Sequence, residues 1–125
     1  MKKENTAIEF IGASEKNYTV YSYLIRSLPG GEIIGDCCIR IGEGLDGIGN
    51  IGYTVDEAHR NEGHATRACA LLLCEARALG LDNVSAVCEK GNAASVRVCE
   101  KLGGVPIGGS CDRLHFCFFR KNKAF

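Results

Sequence analysis

Apolar positions along the chain follow two different periods. Thr6–Ile11 (T-A-I-E-F-I) reads as a short strand, and Tyr18–Arg26 (Y-T-V-Y-S-Y-L-I-R) is rich in the β-branched and aromatic residues of a longer one. L-P-G-G at 28–31 is turn chemistry. Glu32–Ile41 then alternates, with Ile33, Cys37, Ile39 and Ile41 expected on one face and Asp36 and Arg40 on the other. A Gly-rich loop (G-E-G-L-D-G-I-G) leads into another expected strand, Ile48–Val55.

The period changes after residue 64. Ala65, Ala68, Leu72, Ala76 and Leu79 recur at helical spacing, and Gly80 supplies the stop. Asp82–Cys88 reads as a buried strand. Asn92 is a good N-cap for a second helix whose stripe is Ala94, Val98 and Leu102, stopped by Gly103 and Gly104. Val105–Ser110 and Leu114–Arg120 close as a hairpin around Cys-Asp-Arg. Strands flanking two helices give an α+β class, with a mostly antiparallel sheet and a parallel βαβ centre expected.

At 125 residues this is the size of a single domain, and no repeat or linker divides 1–125. With 46% hydrophobic residues the chain can build a core, which excludes low-complexity disorder. Fifteen basic and fifteen acidic residues balance, and no basic stripe marks a nucleic-acid partner. Arg120, Lys121 and Lys123 read as a solvated tail. The longest apolar run, Ala68–Cys74, is far short of the ~20 residues of a membrane span. The N-terminus lacks the apolar stretch of a secretory signal, so a cytoplasmic location is expected.

Eight cysteines (37, 38, 69, 74, 88, 99, 111 and 117) contain no C-x-x-C spacing, so no metal site is expected. Most read as reduced core thiols.

Chemistry concentrates in Ile51–Ala65 (I-G-Y-T-V-D-E-A-H-R-N-E-G-H-A). A strand feeding a loop and then a helix exposes unpaired backbone N–H groups at the positive end of the helix dipole, a ready phosphate site. Gly63 lets the backbone approach closely, Ala65 keeps the helix start narrow, and Arg60 adds a positive charge.

Together with N-A-A-S-V-R-V-C-E-K-L-G-G at 92–104, this segment resembles the Gcn5-related N-acetyltransferase (GNAT) family. Val55, Arg60, Gly63 and Ala65 match the family's V-x-P-x-x-R/Q-G-x-G-x-G/A pattern. Asn92, Ser95, Lys101 and Gly103 match N-x-x-S-x-x-x-Y-x-K-x-G. The resemblance spans about residues 18–120. It implies the acyl-CoA N-acyltransferase fold, a mixed central β-sheet flanked by helices. It also implies acetyl-CoA as co-substrate, an amine acceptor, and direct attack of the amine on the thioester.

The pantetheine arm would pair with the strand edge at Tyr53, Thr54 and Val55, whose N–H groups would polarise the thioester carbonyl. The pyrophosphate would rest on Arg60, Asn61, Glu62, Gly63, His64, Ala65 and Thr66, with Asn92 and Ser95 beside the arm. His64 is expected to face solvent within that loop.

Three departures qualify the resemblance. Asn61 replaces a family glycine and is the best substitute if φ is positive. Cys99 replaces a tyrosine that protonates the departing thiolate, and a thiol can donate that proton. The family's two helices between its first two strands, which wall the acceptor site, have no counterpart before Tyr18. No general base is evident. His64 and His115 are candidates by pKa alone, and Glu43 and Asp46 read as loop-solubilising. A non-catalytic acyl-CoA-binding or regulatory module is therefore the alternative, and exposed strands at the sheet ends leave room for a homodimer.

Overall fold

The computed structural model describes residues 5–119. The strands are β1 (Asn5–Glu15), β2 (Tyr18–Leu28), β3 (Ile33–Gly42), β4 (Ile51–Val55), β5 (Val84–Glu89), β6 (Val105–Gly109) and β7 (Arg113–Phe118). Helices α1 (His64–Ala78) and α2 (Ala93–Lys101) follow β4 and β5 respectively. The class is α+β, as expected. Arg120, Lys121 and Lys123 lie outside the described residues.

The mixed sheet takes a particular form. An antiparallel sheet runs β1-β2-β3-β4, and an antiparallel three-stranded sheet runs β5-β7-β6. No ladder joins β4 to β5, so the expected parallel pairing of these two strands is not made. They meet at one antiparallel bridge, Gly49 with Ala86.

Asn50 secures that bridge. Its backbone N–H donates to Ser85 O at 2.8 Å, and its Oδ1 accepts from Ser85 N at 2.8 Å. Its Nδ2 donates to Arg40 O at 2.9 Å, so one side chain touches both sheets. Gly49 has φ +78°, and a Cβ there would lie 2.9 Å from Ser85 O. That turn is why β4 begins at Ile51 rather than at the expected Ile48.

Core side chains from both sheets pack against one helix face. Ile25, Ile39 and Val55 meet Ala68, Leu72 and Ala76 of α1, with Val84, Phe116 and Phe118 from the second sheet.

Several local expectations shift for physical reasons. The first strand extends beyond residues 6–11 to Glu15, because the two-residue turn at Lys16–Asn17 pairs it with β2 as a hairpin. No helix therefore stands between the first two strands. Ile33 is 49% exposed and Ile34 is fully buried, the reverse of the simple alternation. The register steps from Ile25↔Gly35 to Arg26↔Ile33, and this bulge turns the preceding residues over. Leu79, expected on the buried stripe, is 39% exposed because α1 ends at Ala78 and Gly80 adopts φ +95°. On α2, Cys99 is buried with Val98, whereas Ala94 is exposed.

Leu72→Ala removes a fully buried side chain at the centre of this packing. The expected loss is about 2–5 kcal/mol in urea unfolding. Burial pushes the Cys37 and Cys69 thiols from the ordinary 9.0 up to about 12. Their stabilising contribution is intact below pH 9. Between pH 9 and 12 the unfolded chain sheds protons that the folded chain keeps, so stability falls. A urea midpoint that drops between about pH 8 and about pH 10.5 checks this, and an unchanged midpoint refutes it.

Candidate active site

The loop between β4 and α1 contains a single 3-10 turn, Glu57–His59, and then two left-handed residues. Asn61 has φ +66° and Gly63 has φ +82°. Asn61 thus holds the conformation that its amide side chain tolerates best among non-glycine residues. Gly63 is the α1 N-cap with no side-chain cap, and no acidic residue stands in the first helical turn. The N–H groups of His64, Ala65 and Thr66 lack intrahelical acceptors there, at the positive end of the dipole. Arg60 donates from Nε to Val55 O at 2.9 Å, which ties the loop to the end of β4.

These groups open onto a cleft of about 600 Å³. Of the candidates read from the sequence, it is lined by Tyr53, Thr54, Val55, Arg60, Asn61, Gly63, His64, Ala65, Thr66, Asn92 and Ser95. Glu62 does not line it. Arg97 and Lys101, one helical turn apart on α2, stand on the opposite wall. The sequence reading gave these two cations no role, although their i, i+4 spacing on the helix carrying Ser95 was visible. His59 also lines this cleft, with Nε2 3.5 Å from Glu32 Oε1.

The expectation that His64 faces solvent is overturned: it is 1% exposed. As the first residue of α1 it turns back under β1. Its Nδ1 lies 2.7 Å from Thr6 Oγ1, and its Nε2 lies 3.4 Å from Glu62 Oε1. Arg67, one turn later, donates to Thr6 Oγ1 at 2.9 Å and to Glu62 O at 3.0 Å. This network clamps the loop to β1. It arises from a strand some sixty residues away in sequence, so local pattern carried no sign of it.

Tyr53 sits where two cavities meet. Its hydroxyl donates to Ser95 Oγ at 3.0 Å, bridging β4 to α2. Beyond the bridge lies a second cavity of about 310 Å³ between β4 and β5, sharing Tyr53, Asn92, Ser95 and Val98 with the first. Its own lining includes Cys88, Cys99, Glu89 and Arg113. Asn92 caps α2 as expected, its Oδ1 accepting from Ser95 N at 3.1 Å.

The β4 edge faces this gap selectively. Asp56 N donates to Ile34 O and Arg40 N donates to Asn50 O, which fixes the phase of the β3–β4 ladder. Residues of an antiparallel strand alternate between facing the partner and facing away. Thr54 therefore bonds toward β3, whereas the backbone groups of Tyr53 and Val55 turn toward the gap.

Burial holds the Tyr53 hydroxyl well above its ordinary pKa. The Cys99 thiol is also held far up, first by its hydrogen bond to Cys88 and then by burial, while that same bond lowers Cys88. Cys99 is 3% exposed, with its Sγ 3.6 Å from Cys88 Sγ. His115 is half-buried on β7 opposite Val87, and Glu43 and Asp46 are exposed. None of the three lines either cavity.

Residues 2–105 match a family model described as the acetyltransferase (GNAT) domain. No curated protein matches the chain. Among solved structures, it is similar to a GNAT-family acetyltransferase from Bacillus anthracis. They share 21% identity over 78% of this chain and 65% of that one, with a TM-score of 0.66. A ribosomal-protein-S5-alanine acetyltransferase from Vibrio fischeri gives 19% identity, 82% and 63% coverage, and a TM-score of 0.70. A ribosomal L7/L12 alpha-N-protein acetyltransferase in complex with coenzyme A gives 18%, 83% and 64%, and 0.69. The chain thus spans 63–65% of the length of these structures, and at such identities the likeness speaks for the fold. With a family model covering most of its length, the chain belongs to the GNAT acetyltransferase family.

Proposed function

We propose that the chain is an N-acetyltransferase that moves an acetyl group from acetyl-CoA to a primary amine by direct attack. The supporting observation is that the two cavities adjoin, sharing Tyr53, Asn92, Ser95 and Val98 in their walls. The larger is anion-accepting, with an uncapped helix start, Arg60, Arg97 and Lys101. It adjoins the smaller across the Tyr53–Ser95 hydrogen bond, beside a strand edge whose backbone is turned toward the gap. A long ligand with phosphates at one end and a neutral arm at the other fits that order of groups.

In this reading the pyrophosphate rests on the amides of 63–66, and Arg97 and Lys101 meet the remaining phosphate charge. The pantetheine arm pairs with Tyr53 and Val55. The amine enters through the smaller cavity, where the carboxylate of Glu89 attracts it in its protonated form. The reacting nitrogen gives up one proton to water before it attacks. Its lone pair forms the N–C bond while the carbonyl electrons move onto oxygen, which a backbone N–H of the β4 edge stabilises. The carbonyl then re-forms as the C–S bond breaks, the nitrogen releases its second proton to water, and the sulfur takes a proton.

Tyr53 is the better placed donor, because its hydroxyl borders both cavities. The Cys99 thiol lies deeper and is already engaged with Cys88. Holding both reactants in one cleft contributes the rest of the rate. A non-catalytic acyl-CoA-binding module is the second reading, favoured by the direct turn from β1 into β2, which provides no helical wall for an acceptor. Eight free thiols suit the reducing cytoplasm. The outer edges of β1 and β6 leave room for two copies to pair.

Calorimetric titration with acetyl-CoA, beside a CoA-release assay over a panel of amines, tests the assignment. Binding with turnover is expected; binding without turnover selects the second reading, and no binding at millimolar ligand refutes both. Arg97→Ala with Lys101→Ala is expected to weaken acetyl-CoA binding by about tenfold, roughly 1.4 kcal/mol, with kcat little changed. Tyr53→Phe is expected to lower kcat by about 10²-fold. Cys99→Ala should leave kcat nearly unchanged; the reverse pattern would transfer the proton to Cys99. Glu89→Gln should raise KM for the amine several-fold at constant acetyl-CoA affinity, as checked by steady-state kinetics.

A further inference from the structure

Two thiols meet at the floor of the smaller cavity. Cys88, on the inner face of β5, and Cys99, on the inner face of α2, have their sulfurs 3.6 Å apart. Both line the cavity. No other thiol–thiol hydrogen bond joins described residues. Nor is there, among those residues, a group of three or more His, Cys, Asp or Glu able to hold a metal ion. A metal thus gives no reason for this contact. The remaining motion is small: sulfurs in a disulfide lie about 2.05 Å apart, so the pair needs to close by roughly 1.5 Å. α2 is a nine-residue helix joined to β5 by the short turn at 90–92, so the closure is a local change between two neighbouring elements.

We propose that Cys88 and Cys99 form a dithiol–disulfide site that a low-molecular-weight disulfide oxidises from within the cavity. The Cys88 thiol gives up its proton and its sulfur attacks one sulfur of the small disulfide. The small S–S bond breaks, and the first small thiol leaves with a proton. Cys99 then loses its proton and attacks Cys88 Sγ, expelling the second small thiol, which takes that proton up. Two protein thiols are oxidised to one disulfide and one small disulfide is reduced to two thiols, with no further reactant. Cys88 takes the first attack because it is the more exposed of the two, 7% against 3% for Cys99. The new bond fastens α2 to β5 across the cavity floor. This site stands whether or not the chain transfers acyl groups.

The test uses the full chain, folded, with glutathione disulfide as the probe. After incubation, remaining thiols are alkylated and the protein is digested with trypsin, which cuts after Arg77, Lys90, Arg97 and Lys101. The two cysteines therefore fall on separate peptides, 78–90 and 98–101. The expected product is these two peptides joined, separable by dithiothreitol, with the far-UV circular dichroism of the oxidised protein unchanged. Cys99→Ala should stop the reaction at Cys88 carrying one glutathione. Recovery of both peptides singly, whether alkylated or each bearing glutathione, overturns the proposal. So does linkage of either peptide to Cys69, or a linked product that forms only once the circular dichroism has collapsed.

Discussion

The arrangement of this molecule depends on how two antiparallel sheets are fastened at one point and nowhere else along β4 and β5. Gly49 turns with a positive φ where a side chain would strike Ser85, and Asn50 spends its amide on both sheets at once. Ladder hydrogen bonding is cooperative in geometry: once strands are in register, each pair favours the next. Breaking that continuity after one bridge leaves backbone groups of Tyr53 and Val55 directed at a gap rather than at a partner strand. An open edge inside a protein would be a liability if nothing paired with it. Here it borders a cavity.

The end of the cleft at the α1 start is built by a different constraint. Helix α1 starts without a side-chain cap, so its first amides remain available. Such an end is stable only if the preceding loop is held by other means. Arg60 fastens it to β4, and Arg67 with His64 and Thr6 fastens it to β1. The loop is thus rigid through its flanks and bare on its inner surface, which suits recognition through backbone donors. Gly63 serves mainly its positive φ. A Cβ there would also meet the Arg67 guanidinium at 2.7 Å, so the same glycine makes room for the clamp.

Burial of thiols and hydroxyls near the gap sets the proton inventory. Tyr53 and Cys99 both keep their protons at neutral pH because the charged forms are poorly solvated there. Both are therefore protonated and cannot act as bases there, and the same surroundings make each a weaker acid than in water.

Much of this was legible in the chain itself. The 3.6-residue recurrence of Ala68, Leu72 and Ala76 defined α1, and Asn92 with Gly103 bracketed α2, because helices answer to near neighbours. The loop from Arg60 to Thr66 was recognisable for the same reason: helix ends and left-handed residues are local properties. What failed locally was whatever a distant strand decides. A bulge opposite Ile25 reversed Ile33 and Ile34, and β1 claimed His64, although that histidine reads as exposed beside Glu62. The Tyr53–Ser95 bridge, the facing thiols of Cys88 and Cys99, and the placing of Arg97 and Lys101 across from the helix start also needed the assembled sheets. The sequence determined the elements and the loop before α1, since both rest on short-range backbone preferences. The tertiary structure alone decided the gap between β4 and β5, because its shape depends on where two sheets stop pairing.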